Sequence, residues 1–419
     1  MKIAIYHNLP SGGAKRALYE VVRRLSQSHT LEVFNPSTAN RTFCDLKPFV
    51  AQEHVFEYHP LKLFQSPFGR LNQFQRWRDI FRMDRLAASI AAQVDAGEFD
   101  VVYVHPCMWT QAPAVLNYLL TPSVYHIQEV LRKFHEPEIP RPYLRKHYQR
   151  LLNRFDPILG LYKRTVISRE KRYTRSATKL LANSAYTAMN AEQIYGLPVD
   201  ICYFGVDGEE FRPFGNIRKQ DFVLSVGAFI PTKGFDFLIR AIGHIPSNHR
   251  PTLRIIGNMA DPAEVKYLED TADRHRVELI IETMVGFETL VKRYSQAALV
   301  LYAPIREPFG LVALEAMACG TAVIGVDEGG VRETVIHGET GMLIPRDEKL
   351  FAEAVQELIG DRWQLEKLGR RARESVVANW EWGSIVKRIE DQLIEVSGRE
   401  DYSLRSPTVN GTSRVSLDQ

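Results

Sequence analysis

The chain has 419 residues, 45% hydrophobic and 25% charged, which is the length of two or three ordinary domains and the composition of a globular protein. A formal net charge of +3 is too small to point to nucleic acid. The cysteines Cys44, Cys107, Cys202 and Cys319 show no C-x-x-C spacing, which argues against a zinc site or a disulfide framework and fits a reducing compartment. The opening MKIAIYHNLP is too short an apolar run for a signal peptide, and no window reaches the ~18 apolar residues of a membrane span, so a cytoplasmic location is expected.

Lys2–His7 reads as a buried strand, Asn8–Gly13 as a loop ending in Ser11-Gly12-Gly13, and Ala14–Leu25 as a helix with Leu18, Val21, Val22 and Leu25 at helical spacing. Strand, glycine turn and helix is the geometry by which a Rossmann-like unit approaches phosphate, although two glycines alone also make an ordinary turn. Leu31–Phe34 is a second strand. The segment 61–86 sets six basic residues against two acidic ones among many aromatic and aliphatic side chains. Phe99–His105 and Ser123–Ile127 read as short strands, the latter carrying His126 to a strand end. Such a histidine is either a satisfied core residue or, at the carboxyl end of an α/β strand, part of a site. From 141 to 175 eleven Lys and Arg face two acidic residues, interleaved with apolar ones. That pattern suits an anionic membrane surface or acceptor, and equally a solvated helix face packed on its own domain.

Strands at Lys179–Ser184 and Asp200–Asp207 close the first half, with a hinge expected between Gly205 and Gln220. Asp221–Gly227 opens a second strand–turn–helix domain, followed by Ala228, Lys233 and Gly234, and strands at Leu253–Asn258, Val277–Glu282 and Ala298–Ala303. The stretch Tyr302–Pro345 organises this half. A loop carries Arg306 and Glu307, then Pro308-Phe309-Gly310 opens a helix that ends at Gly320, a residue suited to a left-handed cap. Glu315 lies in this helix among Leu311, Leu314, Ala316, Met317 and Ala318, where a carboxylate is costly unless something binds it. Both carboxylates could face a ligand across the helix N-terminus, whose free N–H groups attract phosphate or hydroxyl oxygens.

This run closely resembles the donor-sugar signature of family 4 glycosyltransferases: Glu307, seven residues, Glu315, then Ala316, Ala318, Gly320, the Gly329-Gly330 turn, and Gly338 with Gly341. The resemblance extends over nearly the whole chain except its C-terminal tail. It implies an α/β, GT-B architecture of two Rossmann-like domains facing each other across a donor-binding cleft. The divisions it suggests are 1–205, 206–378, a helix at 379–396 crossing back to the first domain, and a disordered tail at 397–419.

By resemblance, the donor is a nucleoside-diphosphate sugar and the acceptor a glycan or a lipid-linked sugar, with no further cofactor. Gly12 and Gly13 would approach the diphosphate, Lys233 would clamp it, Glu307 would bond the sugar and Glu315 the ribose hydroxyls. Phe309, Gly310 and Leu311 would complete the donor site, and His126 would orient the transferred sugar as a catalytic group beside Glu307. The family places an Arg where this chain has Ala228, so either another cation such as Arg306 substitutes or activity is weak. No metal is expected, because the chain has no D-x-D. The implied reaction is hexosyl transfer with retention of configuration. The alternatives are other chemistry on a nucleotide sugar, by a phosphorylase or an epimerase, and a non-catalytic nucleotide-sugar-binding or membrane-associated scaffold, which Ala228 favours.

Overall fold

Alternating strands and helices of this chain build two separate parallel sheets. The computed structural model describes residues 1–65, 71–144, 156–215, 217–258 and 260–398. The expectation for the tail therefore falls outside the described residues beyond Gly398, as do the middle of the 141–175 basic stretch and residues 66–70 of the earlier one.

The first domain contains β1 (Lys2–Asn8), α1 (Gly13–Leu25), β2 (Thr30–Pro36), β3 (Gln52–Phe56), α2 (Asn72–Asp95), β4 (Val101–Cys107) and β5 (Ser123–Ile127). It continues with α3 (Arg132–His135), α4 (Pro157–Arg175), β6 (Lys179–Ala182), α5 (Ala185–Tyr195) and β7 (Asp200–Ile201). Its sheet has the order β3-β2-β1-β4-β5-β6-β7, every pair parallel. The second domain contains β8 (Gln220–Val226), α6 (Phe235–His244), β9 (Thr252–Gly257), α7 (Pro262–His275), β10 (Leu279–Thr283), α8 (Phe287–Gln296) and β11 (Ala297–Tyr302). Then come α9 (Leu311–Ala318), β12 (Val323–Val326), α10 (Val331–Thr334), β13 (Gly341–Ile344), α11 (Glu348–Gly360), α12 (Arg362–Asn379) and α13 (Trp382–Ser397). Its sheet runs β10-β9-β8-β11-β12-β13, again all parallel.

Strands covered by helices on both faces must be apolar along their length. Ile3, Ala4, Ile5, Val101 to Val104, and Leu299 to Leu301 are accordingly fully buried. In each sheet the order reverses beside the first strand: β1 lies between β2 and β4, and β8 between β9 and β11. The carboxyl ends of strands at such a reversal open a crevice, and here the two crevices face one another.

The chain returns to its first domain at the end. α13 packs on α1, β4 and β5 with Ile385, Ile389 and Leu393 buried, and His29 Nε2 lies 2.8 Å from Glu390. At the passage between domains Val206 N–H donates to Trp380 O at 2.9 Å. A Cβ at Gly205 would lie 2.6 Å from that same oxygen, so only glycine fits. Further contacts lock the two domains on either side of the cleft. At the N-terminus of α5, capped by Ser184, Ala185 and Tyr186 N–H donate to the Glu333 carboxylate of the second domain at 2.7 and 2.9 Å. Arg141 of the first domain reaches Asp236 and Glu264 at 2.9 and 3.0 Å.

Candidate functional site

A cleft of about 1100 Å³ separates the domains, and its walls include the loops that follow β1, β2, β4, β5, β8, β9, β10 and β11. From the first domain come Gly12, Gly13 and Arg16. Gly12 takes φ 145, a backbone state open to glycine, and Lys15 and Arg16 N–H both bond its carbonyl at 3.1 Å to begin α1. A Cβ on Gly13 would sit 3.3 Å from Leu311 Cδ1, so the glycine turn and the start of α9 approach closely across the cleft.

The opposite wall is the 302–315 segment. Its loop is held by the Gly329-Gly330 turn: a Cβ at Gly329 would lie 2.5 Å from Glu307 O, and one at Gly330 2.2 Å from Pro308 O. Gly330 N–H donates to Glu307 O at 2.8 Å. The glycine pair thus exists to let two backbones touch, and that contact aims Glu307 into the cleft. Its carboxylate accepts from Lys233 Nζ at 2.9 and 3.1 Å. Burial, followed by this neighbouring carboxylate, pushes the Tyr302 hydroxyl well above its ordinary pKa. Gly310, at φ 105, turns the chain into α9, placing Phe309, Gly310 and Leu311 on the cleft wall.

Glu315 is compensated as its apolar setting requires. Its side chain is 11% exposed and accepts from Arg16 Nη1 at 2.7 Å and from Tyr294 Oη at 2.8 Å. The Arg16 pair is a bond between domains. Arg16 went unnoticed in the sequence, although its place three residues after Gly13, off the Leu18/Val21/Val22 face, points it towards the glycine loop.

Two expected site residues lie elsewhere. Arg306 is not on the cleft wall: it adopts φ 49 and turns outward to within 3.7 Å of Glu136. It does not replace the missing arginine at Ala228, which itself lines the cleft. His126 is corrected to a core histidine. It has no solvent exposure, its Nδ1 lies 2.7 Å from Tyr103 Oη, and its Nε2 lies 3.0 Å from Cys202 O. Burial lowers its pKa to about 3, so it stays neutral. The strand ends at Ile127 as expected, but His126 lies inside it with its ring turned to Tyr103 and Cys202, and the residues that follow its end, Gln128 and Glu129, are the ones on the cleft wall. Gln128 Nε2 contacts His105 Nδ1 at 3.0 Å, while burial raises the Glu129 pKa against the opposing effect of Arg132. Arg132, also on the wall, donates to Ile305 O at 2.6 Å, which ties the first domain to the Glu307 loop.

Beneath the glycine turn lies a buried basic cluster. Lys15 Nζ is 3.2 Å from His7 Nε2, and burial lowers the Lys15 pKa to about 8. His105 Nε2 is buried without a hydrogen-bond partner among the described residues.

Two parallel-sheet domains that face each other across a cleft, with a glycine turn on one wall and a Glu-bearing helix start on the other, define the class of GT-B glycosyltransferases. The model of Glycosyltransferase Family 4 matches residues 11–210 and that of Glycosyl transferases group 1 matches 207–375, together spanning most of the chain. The chain belongs to the family 4 glycosyltransferases. An uncharacterized glycosyltransferase of Methanocaldococcus jannaschii is 31% identical over 217 residues, 46% of this chain and 54% of that protein. The chain thus spans about half the length of that relative. Among solved structures, sucrose-phosphate synthase from Thermosynechococcus elongatus superposes with a TM-score of 0.73 at 19% identity, over 95% of this chain and 100% of the other. HepE of Anabaena, in complex with UDP and glucose, does so with a TM-score of 0.69 at 20% identity, over 94% and 100%. At these identities the likeness is one of fold. No helix among the described residues is long and apolar enough to cross a membrane.

Proposed function

We propose that the protein transfers a hexose from a nucleoside-diphosphate sugar to a glycan or lipid-linked acceptor, with retention of configuration and without a metal ion. The observation that carries this reading is the convergence of Lys233, Glu307, Glu315, the Gly12-Gly13 turn and the N-terminus of α9 on one cleft. In it the diphosphate of the donor lies against Lys233 and the backbone N–H groups, where the negative charge that develops on the leaving group is stabilised. Glu307 takes the sugar hydroxyls and Glu315 the ribose. HepE, an architectural relative, is recorded with UDP and glucose, which favours a nucleotide sugar as the ligand class.

Metal independence rests on the absence of D-x-D from the chain. The carboxylates Glu20, Asp207 and Glu210 come close enough together to hold an ion, but Arg23 bonds all three and Arg24 bonds Glu20 and Asp207. Loss of activity on chelation, restored by manganese, overturns that part of the reading.

The test is thermal shift of the purified protein against UDP, GDP and ADP and their sugar conjugates. A ligand at a hundred times its dissociation constant stabilises by about 2.7 kcal/mol, which is readily measured. A shift by one base, abolished in Glu315→Ala, supports the proposal. No shift by any of them favours the non-catalytic scaffold, which Ala228 supports by removing one cation from the cleft.

A further inference from the structure

The donor cleft makes no use of a surface formed by α2, α4 and the residues just before α2 in the first domain. Leu63, Phe64, Phe74, Phe81, Ile158 and Leu161 are all exposed there, by 37% to 54%. Single exposed apolar residues are ordinary, but these are joined. Phe64 is fixed to the start of α2 by reciprocal bonds with Asn72, at 2.6 and 3.0 Å. Phe74 stacks on Trp77 with centroids 5.9 Å apart, and Trp77 meets Phe81 at 4.8 Å. Trp77 Nε1 donates to Thr165 Oγ1 at 3.2 Å, which joins α2 to α4 one turn beyond Leu161.

Among the described residues of this face the acidic side chains are taken up, Asp156 by the backbone N–H groups of Ile158 and Leu159 that it caps, so the free charges towards solvent are basic. Asp79 is taken by Arg82 at 2.9 Å, and Asp84 by Arg169 and the Tyr173 hydroxyl. Lys62, Arg78, Arg85, Lys163 and Arg164 remain exposed around the apolar side chains. The face also reaches the cleft: Arg132 lines the cleft, and Phe134, two residues on, packs at 6.0 Å against Tyr162, which adjoins Leu161 and Lys163.

We propose that this α2–α4 face docks on an anionic lipid bilayer. Aromatic and aliphatic side chains enter the headgroup layer while surrounding Lys and Arg each gain about 1 kcal/mol near an anionic surface. A second copy of the chain is the poorer occupant, because a two-fold contact through this patch sets its cations against their own copies. Lipid binding itself stands apart from the proposed function; only the corollary that the acceptor is presented at the bilayer rests on that reading.

The experiment is co-sedimentation of the full chain with vesicles of phosphatidylcholine alone and of phosphatidylcholine mixed with phosphatidylglycerol. Binding is expected only to the anionic vesicles and should weaken as salt is raised. Phe74→Ser with Leu161→Ser, and separately Arg78→Glu with Lys163→Glu, are expected to lower the partition coefficient by about tenfold or more. Arg362→Glu, on α12 of the second domain, should leave it unchanged. Melting curves establish that each variant is folded, and an unaltered donor-induced shift separates loss of docking from damage to the cleft. Absence of binding by the parent protein at low salt overturns the proposal. So does binding that the paired substitutions leave intact, or a parent oligomer that they convert to monomer.

Discussion

Arg141 fastens the domains together from outside the cleft, so its removal has a calculable effect. Its side chain is 3% exposed and its partners Glu264 and Asp236 are 1% and 9% exposed. Its guanidinium stacks 5.0 Å over Tyr267 and donates to Pro231 O at 3.3 Å, in the turn that carries Lys233. Arg141→Met keeps the length of the stem and deletes the charge. Asp236 retains Arg240 at 2.9 Å, but Glu264 is left with the Tyr143 hydroxyl as its partner. Stranding one buried ion costs about 3–5 kcal/mol, and since Asp236 keeps a cation the lower end applies, about 3 kcal/mol. The cost falls on contact between the domains, so the first denaturant transition moves and hydrogen exchange accelerates in α6 and α7. Arg141→Met with Glu264→Gln removes both charges and should recover part of the loss, because no unpaired ion remains. The assay is urea unfolding of the single and double variants beside exchange of residues 231–244. A single variant within about 0.5 kcal/mol of the parent, with unchanged exchange, would refute the reasoning and mean that this contact is open in solution.

His126→Asn is expected to destabilise by about 1–3 kcal/mol, because it disturbs bonds to Tyr103 and Cys202 in a buried setting, yet to preserve the donor-induced thermal shift. Loss of that shift with an unchanged melting temperature would restore a direct role in the site. Burial holds His126 to a pKa of about 3 and lowers His7 and His105 well below 6.5. With the folded-state value depressed, the unfolded chain binds the extra protons, so stability is full above pH 6.5 and falls as the pH drops below it. Each histidine contributes up to about 1.4 kcal/mol per pH unit in that window. Melting temperatures from pH 8 to 4.5 test this, and a flat profile contradicts it. Glu307→Gln releases Lys233 from its ion pair, so affinity for a free nucleoside diphosphate should rise severalfold while the advantage of the sugar conjugate over the free diphosphate shrinks. Titration calorimetry of both ligands decides it; weaker diphosphate binding together with an unchanged sugar preference opposes the assignment.

Between Tyr302 and Pro345 the placement of the candidate residues was legible because the strand, the loop, the helix start and the Gly329-Gly330 turn that packs on the Glu307 loop all fall within one stretch of sequence. Elsewhere legibility ended where local rules did. The edge strand β3, Gln52–Phe56, has no fully buried residue and only a weak apolar pattern, and it went unread. At β5 the strand's limits were legible, but not the tertiary contacts that turn His126 inward to Tyr103 and Cys202 and leave Gln128 and Glu129, past the strand's end, at the crevice. Arg306 was chosen for its charge and its nearness to Glu307 in sequence, but a left-handed backbone turns it to Glu136. Arg16 and Glu315 are 299 residues apart, a separation at which periodicity carries no information. That pair and Lys233–Glu307 change how the cleft must work. Lys233 and Arg16 are already paired with Glu307 and Glu315, so on the function proposed above a nucleotide-sugar donor would enter by exchange of partners. The diphosphate would take Lys233 and free Glu307 for the sugar hydroxyls, and the ribose would take Glu315 from Arg16 across the cleft. Donor recognition would thereby be coupled to the contact between domains, and the Arg141 fastening outside the cleft would limit how far that contact relaxes.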